Sequence, residues 1–168
     1  MIIDVSKYQG TIDWNKVKAE GKVDGAILRA VSTNGNGLYI AGPFERNYTE
    51  CKRLGIPVGA YFFSYATNET ILDIELILFS NAISGKSFEL PLVIDVEDSS
   101  QKAVGKTKLA ELIKHGLDVI ESWGCYAMWY TYKSFLYYID TDVLKNYGFW
   151  LRWYTTTEPN RYTYHHKM

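Results

Sequence analysis

The chain has 168 residues, 22% of them charged, and a net charge of −1. This length allows one domain with a substantial core, and the near-neutral charge gives no general attraction to nucleic acid or to an anionic membrane surface. No apolar run reaches transmembrane length, so no membrane insertion is expected. The N-terminal residues lack the basic region and the length of a signal peptide. If the protein acts outside a cell, we expect it to leave by another route, or without the export sequence of the full protein.

Strand patterns alternate with amphipathic helix patterns along the chain. In chain order, strands are predicted at 2–5, 25–31, 58–65, 90–98, 126–130 and 149–154. Helices are predicted at 13–19, 44–54, 68–83 and 107–122, with one or two short helices within 135–147. The Gly- and Asn-rich residues 32–42 are predicted to form a long loop. This alternation is typical of βα units and a parallel sheet.

The strongest chemical signal lies in residues 90–98. A short β-branched run opened by Pro91 indicates a strand that is buried on both faces. Asp95 and Glu97 follow at its end, and because charges are costly inside a core we expect them at the rim of a cleft. Two residues apart on a strand, they point to the same side, and their repulsion raises the proton affinity of one of them. The pair therefore suits general acid–base chemistry, although the plainer interpretation is a strand end solvated by acids.

Asp4 also lies at the C-terminal end of a predicted strand. In a βα barrel the active site is built at that face of the sheet. No Gly-rich phosphate motif follows the first strand, which argues against a doubly wound nucleotide-binding fold. Eight full βα units usually need more than about 200 residues. The sequence therefore predicts an α/β protein with an irregular or incomplete TIM-like (β/α) barrel.

Aromatic residues are abundant, with 14 Tyr and 5 Trp. Such side chains stack on sugars or bases, but they also fill cores. Tyr61 and Phe63 share strand parity and are candidates to line a cleft, whereas Phe62 should face the helices. Trp129 and Tyr130 have opposite parity, so one of them belongs to the core.

Arg29 is a charge at a strand position where a core residue is expected. It is either an ion-pair partner of Asp4 or Asp95 or a substrate ligand. We favour the ion pair, because an unpaired charge at a strand end is costly.

No residue pattern predicts a metal or a cofactor. Cys51 and Cys125 fit no metal-ligand spacing and are interpreted as two buried free thiols. His165 and His166 are adjacent but lack further ligands. An alternative function, a metal-dependent hydrolase with the three acids as ligands, would be distinguished by its sensitivity to chelators.

Several motifs occur in an order that resembles one known family. They lie at 4–10 (DVSKYQG), 12–14 (IDW), 26–30 (AILRA), 44–48 (FERNY), 55–61 (GIPVGAY), 90–98 (LPLVIDVED) and 150–154 (WLRWY). Together they resemble glycoside hydrolase family 25, the Chalaropsis-type lysozymes of phage endolysins and bacterial autolysins. The resemblance makes residues 1–154 the predicted catalytic barrel and residues 155–168 an atypical C-terminal tail.

The resemblance implies hydrolysis of the β-1,4 bond between N-acetylmuramic acid and N-acetylglucosamine in peptidoglycan. It gives Glu97 the role of proton donor, Asp95 that of the accompanying carboxylate and Asp4 that of the first-strand carboxylate. Protonation matters because a glycosidic oxygen is a poor leaving group without it. If the N-acetyl group of the substrate is the nucleophile, Asp95 orients and stabilises that group. The predicted substrate-binding residues are Tyr61, Phe63, Tyr130, Arg29 and Trp153.

The implied partners are peptidoglycan glycan strands at the bacterial cell wall, reached by a holin-type or other route that needs no signal peptide. No nucleic acid partner is expected. The competing function is a non-catalytic, glycan-binding remnant of a lysozyme barrel. A fall in cell-wall turbidity would distinguish the enzyme from this remnant.

The C-terminal part departs from the family pattern. Arg152 and Trp153 stand where the family usually has Ala and then Gln or Arg. The family continues for a few dozen residues to a further active-site Asp, whereas residues 155–168 contain no Asp. A barrel that lacks its closing strands leaves the strand at 149–154 as an open edge. We therefore expect impaired activity, moderate stability and self-association through that edge.

Overall fold

The computed structural model describes residues 1–34 and 37–152. Its strands are β1 (Ile2–Val5), β2 (Gly25–Asn34), β3 (Gly37–Ile40), β4 (Val58–Ser64), β5 (Leu92–Val96), β6 (Ala127–Tyr132) and β7 (Gly148–Arg152). Its α-helices are α1 (Trp14–Glu20), α2 (Phe44–Arg53), α3 (Glu69–Ile83) and α4 (Lys106–Ser122). Short 3-10 helices span Lys7–Gln9, Ser99–Ala103 and Lys133–Tyr138.

The strands form one sheet in the order β1-β2-β4-β5-β6-β7, and every pair of neighbours along this path is parallel. Helices connect these parallel strands, as βα units require. Within the described residues, no strand pairing joins β7 back to β1. The predicted α/β fold with an incomplete barrel is therefore confirmed.

The loop predicted at 32–42 is wrong. Strand β2 continues to Asn34 and pairs with β3 in antiparallel register, with Ser32 opposite Tyr39 and Thr33 opposite Leu38. Gly37, the first residue of β3, has a positive φ of 107°, which favours glycine. The Gly- and Asn-rich composition therefore does not exclude strands on either side of it.

Side-chain caps precede the first residues of two helices, α1 and α3. Asp13 accepts a hydrogen bond from the backbone amide of Lys16 at 3.2 Å, and Asn68 accepts one from Ile71 at 3.0 Å. Helix α4 packs against the sheet through Gly116, where an added Cβ would lie 2.7 Å from a methyl group of Ile94. No helix of the described residues is long and apolar enough to cross a membrane.

The two faces of the sheet have different environments. The main core lies between the sheet and the helices, and it includes Phe62 and Trp129, both almost fully buried. A smaller cluster on the opposite face contains Ile27, Tyr61 and Val93. The predicted burial of Phe62 against the helices is therefore confirmed. Tyr61 lies on the other face, as its strand parity requires.

Two motif residues connect helices α1 and α2. The indole nitrogen of Trp14 donates a hydrogen bond to Asn47 Oδ1 at 3.0 Å, and both side chains are buried. Arg46 donates to the backbone carbonyl of Ile12 at 3.0 Å, beside this pair. These contacts lie on the helix side of the sheet, so this part of the family signature serves the fold. Both thiols are free, Cys51 being buried and Cys125 only half-buried.

Candidate active site

An open cleft lies at the C-terminal ends of the parallel strands and has a volume of about 460 Å³. Its position follows from the sheet topology, because the carboxyl ends of parallel strands meet at one edge. The residues that line it are Asp4, Ser6, Tyr8, Gln9, Arg29, Tyr61, Asp95, Glu97, Tyr130, Trp150 and Arg152. The structure thus brings together all three acids that the sequence identifies.

Asp95 and Glu97 face this cleft from the end of β5. Asp95 is 5% exposed, whereas Glu97 is half-buried and closer to the cleft opening. The sheet register places Asp95 between Phe63 of β4 and Tyr130 of β6. Within the described residues, Asp95 Oδ1 and Glu97 Oε2 have no hydrogen-bond partner, although both atoms are buried. Burial without a hydrogen-bond partner disfavours the charged form of each carboxyl group.

Both carboxyl groups hold their protons more tightly than exposed acids do. Burial raises the pKa of Asp95 well above its usual range, and the neighbouring charge of Glu97 raises it further. Burial also raises the pKa of Glu97, while the positive charges of Arg152 and Arg29 lower it. Loss of hydration is thus the main cause, ahead of the repulsion that the residue spacing suggests.

Asp4 contributes the third carboxylate, from the end of β1. The surrounding protein removes part of its hydration and raises its pKa, while a hydrogen bond with the Tyr61 side chain and the charges of Arg29 and Arg152 lower it. Asp4 nevertheless remains exposed to solvent within the cleft. A negative charge at this position adds to the field that favours a positively charged reacting centre.

Arg29 lies beside the acids but bonds to a phenol. Its Nε donates a hydrogen bond to the Tyr61 hydroxyl at 3.0 Å, in place of the predicted direct pair with Asp4 or Asp95. Aromatic rings surround the guanidinium carbon, at 5.2 Å for Tyr61, 5.6 Å for Phe63 and 6.0 Å for Tyr8. Arg29 therefore acts on the carboxylates through its charge, and cation–π contacts hold it in place.

A β-bulge in β2 follows Arg29. The register with β4 shifts after Arg29, which pairs with Tyr61, so that Phe62 pairs with Val31 and Ala30 is the extra residue. Arg29 shares the parity of Ile27, which lies on the face opposite the helices. Ala30 and Val31 are consecutive, yet both are fully buried in the main core, so the bulge reverses the parity of the residues after Arg29.

Arg152 was noted in the sequence as a departure, and the structure places it in the cleft. It lies at the end of β7, on the same face as Trp150, and its side chain interacts with Tyr130. The Tyr130 and Trp150 rings pack edge to face, with centroids 5.1 Å apart. Arg152 lies two residues after Trp150 on β7, so both side chains point to the same face. This spacing is the sequence signal that could have identified Arg152 as a cleft residue.

The loop after β1 adds cleft residues that the sequence reasoning missed. The Ser6 backbone amide donates to Gln9 Oε1 at 2.7 Å, and the Tyr8 amide donates to Ser6 Oγ at 3.3 Å. This capping arrangement fixes the short helix Lys7–Gln9, which places Tyr8, 77% exposed, beside the cleft. The only available signal was the family resemblance of this loop.

The other predicted site residues have different positions. Phe63 is not among the residues that line the cleft, but its ring contacts Arg29. Trp153 lies outside the described residues, as do the tail at 155–168, His165 and His166. The end of the strand predicted at 149–154 also falls there, so self-association through this edge stays a prediction.

Across residues 1–34 and 37–152, no three His, Cys, Asp or Glu side chains are grouped closely enough to hold a metal ion.

The sequence is similar to those of known proteins. The family model for glycosyl hydrolases family 25 matches residues 3–168. An autolytic lysozyme from Clostridium acetobutylicum is 31% identical over 140 residues, which cover 79% of this chain and 38% of that protein.

Solved structures resemble the fold over nearly its whole length. The modular autolysin LytC from Streptococcus pneumoniae matches with a TM-score of 0.81 and 28% identity, over 99% of this chain and 40% of that chain. The same autolysin has also been solved in complex with a synthetic peptidoglycan ligand. A family 25 glycosyl hydrolase from Bacillus anthracis has the same fold, with a TM-score of 0.75 at 22% identity, over 94% of this chain and 71% of that chain. The chain thus spans about two fifths of the length of the autolytic lysozyme and of LytC.

Proposed function

The chain belongs to glycosyl hydrolase family 25, and from this premise we propose that it is a peptidoglycan muramidase. The reaction is hydrolysis of the β-1,4 bond between N-acetylmuramic acid and N-acetylglucosamine, at the bacterial cell wall. The observation that carries the proposal is the meeting of three carboxyl groups, Asp4, Asp95 and Glu97, in one open cleft at the C-terminal ends of the strands.

Glu97 is the proton donor in this mechanism. A glycosidic oxygen leaves as an alcohol only when it receives a proton, so the donor must still hold one at the working pH. Burial raises the pKa of Glu97, which is the direction that a proton donor needs. Glu97 is also the more accessible of the two acids, which allows its carboxyl group to approach a bond in a polymeric substrate.

Asp95 and Asp4 stabilise the positive charge that develops at the sugar ring. The transition state resembles an oxocarbenium ion, and fixed negative charge near it lowers the barrier. With the N-acetyl group of the substrate as nucleophile, Asp95 orients and stabilises that group from its position in the cleft lining. Tyr61 and the charge of Arg29 lower the pKa of Asp4, which favours its charged form.

The cleft surface suits a glycan chain. Tyr8, Tyr130 and Trp150 present aromatic rings on which sugar faces stack, and Gln9 and Arg152 add polar groups for hydroxyl and amide contacts. As formed by the described residues, the cleft is open, which gives a long polymer access to it. The autolysin LytC, 28% identical, has been solved with a synthetic peptidoglycan ligand, and this likeness supports the same class of substrate here.

Product analysis tests the proposal directly. Purified protein is incubated with soluble, uncross-linked peptidoglycan glycan strands, and the products are reduced with borohydride and identified by mass spectrometry. We expect new reducing ends that consist of N-acetylmuramic acid. Products that end in N-acetylglucosamine would overturn the bond assignment. Binding of the strands without any new reducing end would favour the non-catalytic glycan-binding function.

The charge of Arg152 leads to a prediction about pH. Removing it in Arg152→Gln should raise the pKa of Glu97, because Arg152 is the largest influence that lowers it. A general acid works only while protonated, so the alkaline limb of the pH–rate profile should move to higher pH by up to about one unit. The exposed and remote Arg53→Gln serves as the control. An unchanged alkaline limb in Arg152→Gln would show that Arg152 does not influence the proton donor.

A further inference from the structure

A buried polar network lies directly behind the segment that carries Glu97. It connects α3, the chain after β4 and the 3-10 helix Ser99–Ala103 that follows the acid. Its side chains are Ser64, Glu75 and Gln101, all at most 2% exposed. Buried polar groups of this kind are costly unless their hydrogen bonds are complete, so such a network specifies one arrangement of the chain.

Gln101 joins the two backbone segments on either side of the acids. Its Oε1 accepts a hydrogen bond from the backbone amide of Asp98, the residue after Glu97, at 3.2 Å. Its Nε2 donates to the backbone carbonyl of Ala66 at 3.2 Å and approaches Ser64 Oγ at 3.5 Å. One planar amide thus fixes the backbone just beyond Glu97 relative to the chain that leaves β4.

Glu75 forms the base of this network. The Ser64 hydroxyl donates to its Oε2 at 2.7 Å, and the Tyr65 backbone amide donates to its Oε1 at 2.8 Å. Burial raises the pKa of Glu75 to about 7, while these two hydrogen bonds lower it. Ser64 Oγ also accepts from the Ala66 amide at 3.2 Å, so one hydroxyl contacts both Glu75 and Gln101.

We propose that Gln101, supported by Ser64 and Glu75, is a positioning residue that holds the proton donor Glu97 in its reactive place. The inference rests on the proposed muramidase function but concerns residues that do not line the cleft. Glu97 is only half-buried and follows the last residue of β5, so the strand pairing alone does not fix it. The side-chain amide of Gln101 supplies that restraint through its hydrogen bonds to the backbone of Asp98 and Ala66.

Gln101→Met tests the proposal, because it keeps the size of the side chain and removes both hydrogen-bonding groups. We expect kcat on soluble glycan strands to fall about tenfold, since a small displacement of a catalytic group has effects of this order. KM should change little, because Gln101 does not contact substrate. The matched control is Asn47→Leu, which removes a buried amide and its hydrogen bond to Trp14 outside the cleft. Thermal unfolding identifies a temperature at which all variants are folded.

Gln101→Glu provides a second variant with a distinct signature. A protonated glutamic acid accepts from Asp98 and donates to Ala66, whereas the ionised form has no donor. The titratable residues connected to this position are Glu75 of α3, which shares the Ser64 hydroxyl with Gln101, and Asp98, whose backbone amide donates to Gln101. Tyr65 and Glu97 are their neighbours along the chain. We expect the kcat of Gln101→Glu, relative to the parent at the same pH, to recover as the pH falls.

The outcomes separate this inference from the proposed function. A parent protein that releases no reducing ends contradicts the muramidase proposal itself. An active parent with an unchanged kcat in Gln101→Met, or a pH-independent ratio for Gln101→Glu, overturns the positioning role alone. A kcat that falls as much in folded Asn47→Leu as in Gln101→Met would also overturn it, because general loosening of the fold would explain both.

Discussion

Glu97→Gln is expected to lower kcat by about 10²–10⁴-fold, the usual contribution of a general acid. Glutamine keeps the size and the acceptor oxygen of the side chain. Its amide group can donate a hydrogen bond but is not an acid, so it cannot transfer a proton to the leaving oxygen. KM should stay within a few-fold, because substrate contacts are spread over the rest of the cleft. The measurement is the initial rate of reducing-end release from soluble glycan strands, with thermal unfolding to confirm that the variant is folded.

The matched control is Glu121→Gln, which makes the same chemical change on the exposed end of α4. It should retain the parental rate. If Glu97→Gln also retained that rate, Glu97 would not be the proton donor. Asp95, whose pKa burial raises well above the usual range, would then become the candidate acid.

Asp95→Asn is expected to lower kcat by about 10²–10³-fold, the loss typical of removing one preorganised electrostatic group. Asparagine has nearly the same shape but no charge to stabilise the developing positive charge at the sugar. The same reducing-end assay applies, with the exposed Asp142→Asn as control. An Asp95→Asn variant with parental kcat would exclude a catalytic role for this residue.

The same substitution should make the protein more stable. The pKa of Asp95 is raised in the folded state, so above the unfolded pKa of about 4 the folded protein binds more protons than the unfolded chain. The free energy of unfolding therefore decreases as the pH rises through this range. Asparagine does not titrate, so the Asp95→Asn variant does not undergo this decrease in the free energy of unfolding. The melting temperature of Asp95→Asn should exceed that of the parent at neutral pH, and the excess should disappear below about pH 4. If the difference in melting temperature between Asp95→Asn and the parent did not change with pH, the pKa of Asp95 would not be raised in the folded protein.

Much of the fold could be predicted because burial and periodicity agree along most of the chain. The β-branched run before Asp95 and the amphipathic pattern of α4 each allow one interpretation. The hairpin of β2 and β3 could not be predicted in this way. The segment 32–42 is rich in Gly and Asn, so composition alone favours a loop, and the strands are recognised only from pairings such as that of Ser32 with Tyr39.

The cleft acids could be predicted because each one ends a strand, and parallel strands bring their ends together. Arg152 also ends a strand. Because it departs from the family pattern, the sequence predicted an open sheet edge there and gave Arg152 no role in the cleft. Glu75 had a usable signal, a charged residue at a core position of α3 between Leu72 and Phe79. Gln101 had none, because its role depends on the distance between two segments that are far apart in sequence.

The hydrogen bond between Trp14 and Asn47 separates two kinds of information within the family signature. Sequences that drift away from catalysis still need their helices anchored, so selection for folding alone preserves this pair. The positions of Asp95 and Glu97 carry no such benefit, since their buried charge disfavours the folded state. A homologue that keeps the tryptophan and asparagine but has lost the acids is therefore interpreted as a protein that retains the fold and has lost catalytic activity. Surveys of such sequences gain most by scoring the anchoring positions and the acidic positions separately.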